Sequence, residues 1–204
     1  MEVLTDVRPH DLLRISPSES LIHGGPGWLE QALQRAPWVV VRRDATRPGF
    51  VPVGVRGTSR GERHPGLIRA DDVVETLAPA ELLTRIGQLP DVPAAAALHC
   101  AVDVLNPTGV EWGPGGSTGF SLASGVSVVT ADSDLDLVIR LQRLPQAAEL
   151  GCWYDGLSRL PARVDCQLDL PLGGVALAEL LGPSERVLLR TATGPRLVDR
   201  SQLR

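Results

Sequence analysis

Residues Trp112 to Leu141, reading WGPGGSTGFSLASGVSVVTADSDLDLVIRL, constrain this chain more than any other stretch. A Gly-Gly-Ser-Thr-Gly run (Gly115 to Gly119) follows an apolar approach and opens a segment of helical character. Behind it, Ser133-Asp134-Leu135-Asp136-Leu137-Val138-Ile139 sets two carboxylates two residues apart at the head of an apolar β run. Side chains alternate faces along a strand, so Asp134 and Asp136 are expected on one face, with Leu135 and Leu137 in the core. Two such carboxylates repel each other unless a cation lies between them, and oxygen-only ligands favour a hard ion such as Mg²⁺. The glycines let backbone approach a ligand with no Cβ in the way. Amides feeding a helix N-terminus cradle anions. A phosphate cradle beside a carboxylate pair is equipment for phosphoryl or nucleotidyl transfer.

Each half alone is common, since Asp-x-Asp occurs at turns and strand ends and most Gly-rich loops are turns. The dinucleotide fingerprint does not fit, because Gly115, Gly116 and Gly119 have no acidic residue closing a following strand in that manner. The lysine-bearing phosphate loop is excluded outright: all 20 basic residues are arginine. The joint pattern is far more specific. Gly116-Ser117 at a helix start, followed by a strand opening Asp134-x-Asp136, resembles the DNA polymerase β-type nucleotidyltransferase superfamily. That resemblance implies a third carboxylate from a neighbouring strand and a two-metal site. In Ala162 to Leu170 (ARVDCQLDL), Asp165 stands where that fold would place it; Asp169 shares its face but lies just before Pro171, nearer the strand end. Asp134, Asp136 and Asp165 are thus the expected metal ligands for two Mg²⁺ ions, with Mn²⁺ as the alternative. Asp165 would also help take the proton of the attacking hydroxyl, and Gly116 with Ser117 would hold the phosphates.

Composition narrows the partners. With 43% hydrophobic and 22% charged residues over 204 positions, one or two small soluble domains are expected. Aromatics at 3% and a net charge of −4 argue against a nucleic-acid polymer as partner. No apolar run reaches about 18 residues and no secretory pattern opens the chain, so a cytoplasmic protein without a membrane partner is expected. Cys100, Cys152 and Cys166 are odd in number and far apart, which reads as reduced thiols, Cys166 in the core.

In chain order, Pro9 to Arg14 reads as a helical turn with His10 either a capping residue or an acid/base group. Trp28 to Gln34 reads as a short helix behind the breaker Gly24 to Gly27, and Trp38 to Arg42 and Phe50 to Val55 as a hairpin. Arg56 to His64 carries Arg56, Arg60 and Arg63 among glycines and hydroxyls, either a phosphate clamp or a solvated loop tip. Helices are expected over Val73 to Leu89, interrupted at Pro79, over Pro93 to Leu105 and over Pro145 to Arg159. Gly173-Gly174 turns into a helix over Val175 to Leu181, and Arg186 to Arg190 with Arg196 to Val198 close the chain as a hairpin. The proline-rich joint Gln88 to Pro93 divides the chain into residues 1–90, a smaller α+β domain for substrate or partner binding, and residues 91–204, the nucleotidyltransferase domain, a mixed sheet with helices.

Over nearly its whole length the chain also resembles the malonate decarboxylase holo-acyl-carrier-protein synthases, or phosphoribosyl-dephospho-CoA transferases. The likeness rests on His10-Asp11-Leu12-Leu13, Trp38 to Arg43, Pro52 to Gly57, Trp112 to Phe120, Ser133 to Leu137, Val164 to Gln167 and Gly173 to Glu179. Where that family has Pro-Thr-Gly-Ser, this chain has Pro114-Gly115-Gly116-Ser117, losing a hydroxyl at Gly115. The resemblance implies a triphosphoribosyl-dephospho-CoA donor and, as acceptor, a serine of the decarboxylase's acyl carrier subunit, with pyrophosphate leaving. Arg42, Arg43, Arg56, Arg60 and Arg63 are candidates to neutralise the donor's phosphates. A citrate lyase-type carrier, transfer of AMP from ATP to another acceptor, and a non-catalytic carrier-binding protein stay open as alternatives.

Overall fold

The computed structural model describes residues 7–16, 21, 25–59 and 61–203; Arg60, and Gly24 of the expected breaker, lie outside them. The architecture is α+β, built on two sheets. The first is wholly antiparallel in the order β4-β3-β2-β1-β5, formed by β1 (Leu12–Ile15), β2 (Trp38–Val41), β3 (Phe50–Arg56), β4 (Arg63–Arg69) and β5 (Val73–Leu77). Helix α1 (Leu29–Arg35) covers one face, its Leu29 and Leu33 joining Leu13, Val39, Val41, Val53 and Val55 in a core of their own.

The second sheet, β11-β10-β9-β8-β7-β6, comprises β6 (Glu111–Pro114), β7 (Leu135–Arg140), β8 (Val164–Leu170), β9 (Gly173–Ala176), β10 (Arg186–Thr191) and β11 (Gly194–Asp199). Its strands pair antiparallel except β7 with β8. Parallel neighbours need a long crossover, which helix α4 (Ala147–Ser158) supplies. Helices α2 (Pro93–Leu105), α3 (Gly116–Ser124) and α5 (Leu177–Leu181) complete this unit. The other face of the first sheet turns toward it: Leu12, Trp38 and Leu77 belong to the same apolar cluster as Leu82, Leu98, Leu135 and Ile139. Among the described residues no helix is long and apolar enough to cross a membrane.

Three expectations are corrected. Pro9 to Arg14 is not a helical turn but leads into β1. Leu12 and Leu13 are both buried, at 2% and 0% exposure, because this strand is covered on both faces and so shows no alternation to mark it. Val73 to Leu89 is not an interrupted helix: Val73 to Leu77 pair with β1 as a strand, and Pro79–Gln88 forms a 3-10 helix. The β-branched residues favour the ladder, and Pro79 opens the helix where its missing N–H costs nothing. Glu81 Oε2 accepts from the Ala78 amide at 2.7 Å, fixing that start. Finally, Val175 and Ala176 extend β9, and the helix begins only at Leu177.

Polar contacts tie the two sheets together. The buried guanidinium of Arg140 on β7 donates from Nη2 to Asp11 Oδ1 at 2.7 Å and to the Pro9 carbonyl at 3.0 Å, and from Nη1 to Glu111 at 3.0 Å. Arg8 adds a second donor to Glu111, at 2.7 Å. Arg43, just past β2, pairs with Asp169 at the far end of β8.

Candidate active site

The glycine-serine turn and the Asp-x-Asp strand meet because β6 and β7 pair as far as Pro114 and Leu137. Beyond that pair the Gly115 amide donates to the Asp136 carbonyl at 2.9 Å. The chain then bends at Gly116, with φ +53°, into α3. Only glycine suits this position: a Cβ there would lie 1.7 Å from Asp136 Oδ2. The turn's backbone therefore lies directly against the carboxylate. The first amides of α3 have no intrahelical acceptor and are available to an anion, and Ser117 beside them lines the cleft.

Asp136 occupies the second position of β7, while Asp134 precedes the strand. Asp165 on β8 stands in register with Asp136 across the parallel pair, where strands run about 4.8 Å apart. Burial holds the Asp136 carboxyl above its ordinary range, Asp165 and Asp134 push it the same way, and Arg63 and Arg56 oppose them. Asp136 therefore feels both other carboxylates and both arginines. Arg56, Arg63, Thr58, Ser117, Asp134 and Asp136 line one cleft of ≈250 Å³, closed by the loop carrying Thr130, Asp132 and Ser133. Ser133 Oγ accepts from the Thr130 amide at 2.9 Å and shapes that loop.

The donor set fits a hard divalent ion such as Mg²⁺, which binds through one or two carboxylates plus substrate phosphates rather than an all-protein cage. Among the described residues no group of three or more His, Cys, Asp or Glu side chains is drawn together tightly enough to hold an ion unaided. Asp134 lies 4.0 Å from Arg163 and lines the cleft with Asp136, while Asp165 stands in register with Asp136 on the neighbouring strand.

The arginines divide. Arg56 and Arg63 face the acidic cleft. Arg42 lines the adjoining cavity and pairs with Asp44 at 3.3 Å. Arg43 is engaged by Asp169, about 13 Å along β8 from Asp165. Arg60 lies outside the described residues. The β3–β4 pairing explains the split, because Arg56 and Arg63 are direct cross-strand partners.

Sequence reasoning gave no role to Thr58, Thr130, Asp132 or Gln167, and left His10 undecided. Gln167 shares a face of β8 with Asp165, and its side-chain nitrogen lies 3.1 Å from His10 Nε2. His10 itself has φ +73° and lines the adjoining cavity. Burial and the guanidinium groups of Arg43, Arg140 and Arg190 lower its pKa to about 4, against the pull of Asp169, so the ring is neutral at neutral pH. Cys166, between Asp165 and Gln167, points into the core, where burial and then Asp165 push its thiol up to about 12. Cys100, Cys152 and Cys166 are all free thiols.

Comparison with known proteins covers nearly the whole chain. The phosphoribosyl-dephospho-CoA transferase MdcG N-terminal domain matches residues 8–79, and the MdcG C-terminal domain matches residues 81–201. A phosphoribosyl-dephospho-CoA transferase of Pseudomonas putida strain GB-1 is 41% identical over 94% of this chain and 93% of its own. Those of Klebsiella pneumoniae, at 38% over 93% of each chain, and Azotobacter vinelandii, at 37% over 94% and 92%, are similar. No solved structure matches. With both halves of the family matched and more than nine-tenths of each relative covered, the chain belongs to the phosphoribosyl-dephospho-CoA transferase family.

Proposed function

We propose that this protein transfers the phosphoribosyl-dephospho-CoA group from its triphosphate donor to a serine of the malonate decarboxylase acyl carrier protein, as a metal-dependent nucleotidyltransferase. The observation that carries the reading is the in-register pair Asp136 and Asp165 beside the Gly116-Ser117 turn. We read the second sheet as a polymerase β-type nucleotidyltransferase domain. In its support, a strand leads into a Gly-Ser helix start, and the next strand, opening just after Asp134 and carrying Asp136, runs parallel to one bearing the third carboxylate.

In this reading the α3 amides and Ser117 hold the donor's terminal phosphates, and Arg56 and Arg63 neutralise them. Asp134, Asp136 and Asp165, together with the donor's phosphates, would hold Mg²⁺, which would supply Lewis-acid polarisation of the phosphate and stabilise the leaving oxygen. Asp165, the most exposed of the three, accepts the proton of the carrier serine as its Oγ bonds to the α-phosphorus. The α–β phosphoanhydride bond breaks and pyrophosphate leaves.

The test is direct. Apo-carrier incubated with donor and Mg²⁺ should gain the mass of the group and release one pyrophosphate per carrier. An unmodified carrier, with authentic partners and an intact donor, overturns the proposal. AMP added from ATP alone would instead favour an ordinary nucleotidyltransferase.

A further inference from the structure

A second cavity of ≈420 Å³ adjoins the acidic cleft, within the roughly 300–1,000 Å³ of small-molecule sites. Alternation along the first sheet builds one wall: Val40 on β2, Gly54 and Arg56 on β3, and Arg63 and Pro65 on β4 share a face, with Arg42 just past β2 beside them. Phe120 and Gly116 of α3 form the facing wall, and His10 closes one end. The lining is apolar at Val40, Pro65 and Phe120 and cationic at Arg42, Arg56 and Arg63. Arg56 and Arg63 line both this cavity and the acidic cleft. Gly116 belongs to the same junction, with Asp136 on one side and the cavity on the other.

Nothing in the transfer chemistry itself uses this space. We propose that it binds the ribosyl-adenosine part of the donor. This inference rests on the transfer reading above and adds the place of the donor's organic body. Covalent connectivity decides which part enters. With the terminal phosphates at the α3 amides and the α-phosphate at the carboxylates beside the Gly116 turn, what can enter the neighbouring cavity is the group bonded to that α-phosphate, the ribose and then the adenosine; the pantetheine arm departs beyond the adenosine. The lining suits such a body. Guanidinium planes stack on purine faces, the apolar residues accept the ring edge, and a neutral His10 offers one ring nitrogen to a sugar hydroxyl while Gln167 engages the other side of the network.

Gly54 gives the test. A Cβ there meets Arg42 Cδ at 3.5 Å, Arg42 Cγ at 3.6 Å and the Val40 carbonyl oxygen at 4.0 Å, all ordinary contacts, so a larger side chain is accepted by the backbone and projects into the space. Calorimetry with 3′-dephospho-CoA as the probe should show wild-type binding, competed by adenosine and not by pantethine. Gly54→Leu should weaken that binding at least tenfold while leaving inorganic triphosphate binding, measured with Mg²⁺, within twofold. Unchanged 3′-dephospho-CoA binding in Gly54→Leu, competition by pantethine instead of adenosine, or no wild-type binding at all overturns the inference. If Gly54→Leu does not fold, Val40→Phe fills the same space from β2. The outcomes separate from those of the transfer reading: a wild type that binds the probe in this way but never modifies carrier refutes the transfer and leaves the nucleoside cavity standing.

Discussion

Replacing Gly116 by alanine is the sharpest perturbation the geometry allows. The added Cβ would sit 1.7 Å from Asp136 Oδ2 and 2.5 Å from its Cγ. To regain an ordinary contact of about 3.5 Å, the oxygen must retreat by about 2 Å. Alanine must also adopt φ +53°, which costs about 1–2 kcal/mol. Driving Asp136 off its rotamer adds about 1 kcal/mol. The sum, about 2–3 kcal/mol, lowers the melting temperature of a protein this size by roughly 5–10 °C, leaving it folded at 25 °C. Activity should suffer far more, since misplacing a reacting group by about 1 Å can cost 10²-fold. Gly115→Ala is the matched control: its Cβ would meet Val138 Cγ2 at 3.6 Å and Asp136 Cβ at 3.9 Å, both ordinary, from an extended backbone. Carrier modification followed by mass spectrometry, beside thermal unfolding, should therefore show Gly116→Ala at least ~100-fold slower and Gly115→Ala within about threefold of wild type. Near-normal transfer by Gly116→Ala, or equal losses in the two variants, would refute the idea that this turn fixes a catalytic carboxylate.

Other consequences are open to measurement. Asp136→Asn should abolish transfer yet melt no lower than wild type, because it removes a charge that burial and two neighbouring carboxylates already disfavour; a marked drop in melting temperature would contradict this. Arg140→Met strands Asp11, 2% exposed, in the interior, and should cost about 3–5 kcal/mol in urea unfolding. Adding Asp11→Leu should recover most of that loss, and no recovery would place the cost elsewhere. His10 takes up a proton near pH 6.5 when unfolded but only near 4 when folded, so protons favour the unfolded chain across that window. Stability should fall by up to about 3 kcal/mol as pH drops from 6.5 to 4. His10→Asn, which keeps a side chain tolerant of the left-handed backbone, should flatten this slope; an unchanged slope assigns it to other groups.

The legible parts of the chain were those where local chemistry and tertiary demand agree. The helix Pro93–Leu105 stands at the bounds its prolines and apolar spacing predict, and the strands of the Trp38 and Phe50 hairpin fall within a residue of expectation. Gly116-Ser117 opens a helix and Asp136 lies at the start of a strand, second after Leu135, for the same reason. The misread segments share a different cause. Leu12-Leu13 is buried on both faces and carries no period, and Val73 to Leu77 becomes a strand only because β1 offers it an edge.

In the site, residue types and spacing were enough to name Gly116, Ser117, Asp134 and Asp136 as candidates, since a carboxylate pair and a glycine turn carry their chemistry in any setting, and the superfamily resemblance added Asp165. Which arginines join them could not be read, because Arg42, Arg43 and Arg56 look alike in sequence. Cross-strand pairing of Arg56 with Arg63 aims those two at the carboxylates, while Asp169 claims Arg43 and Asp44 engages Arg42. His10 met Gln167 only when the chain brought together residues 157 positions apart. Sequence by itself determined which groups are available for the chemistry; the packing of one sheet against the other decided which of them face each other, because charge partners and cavity walls are set by through-space distance.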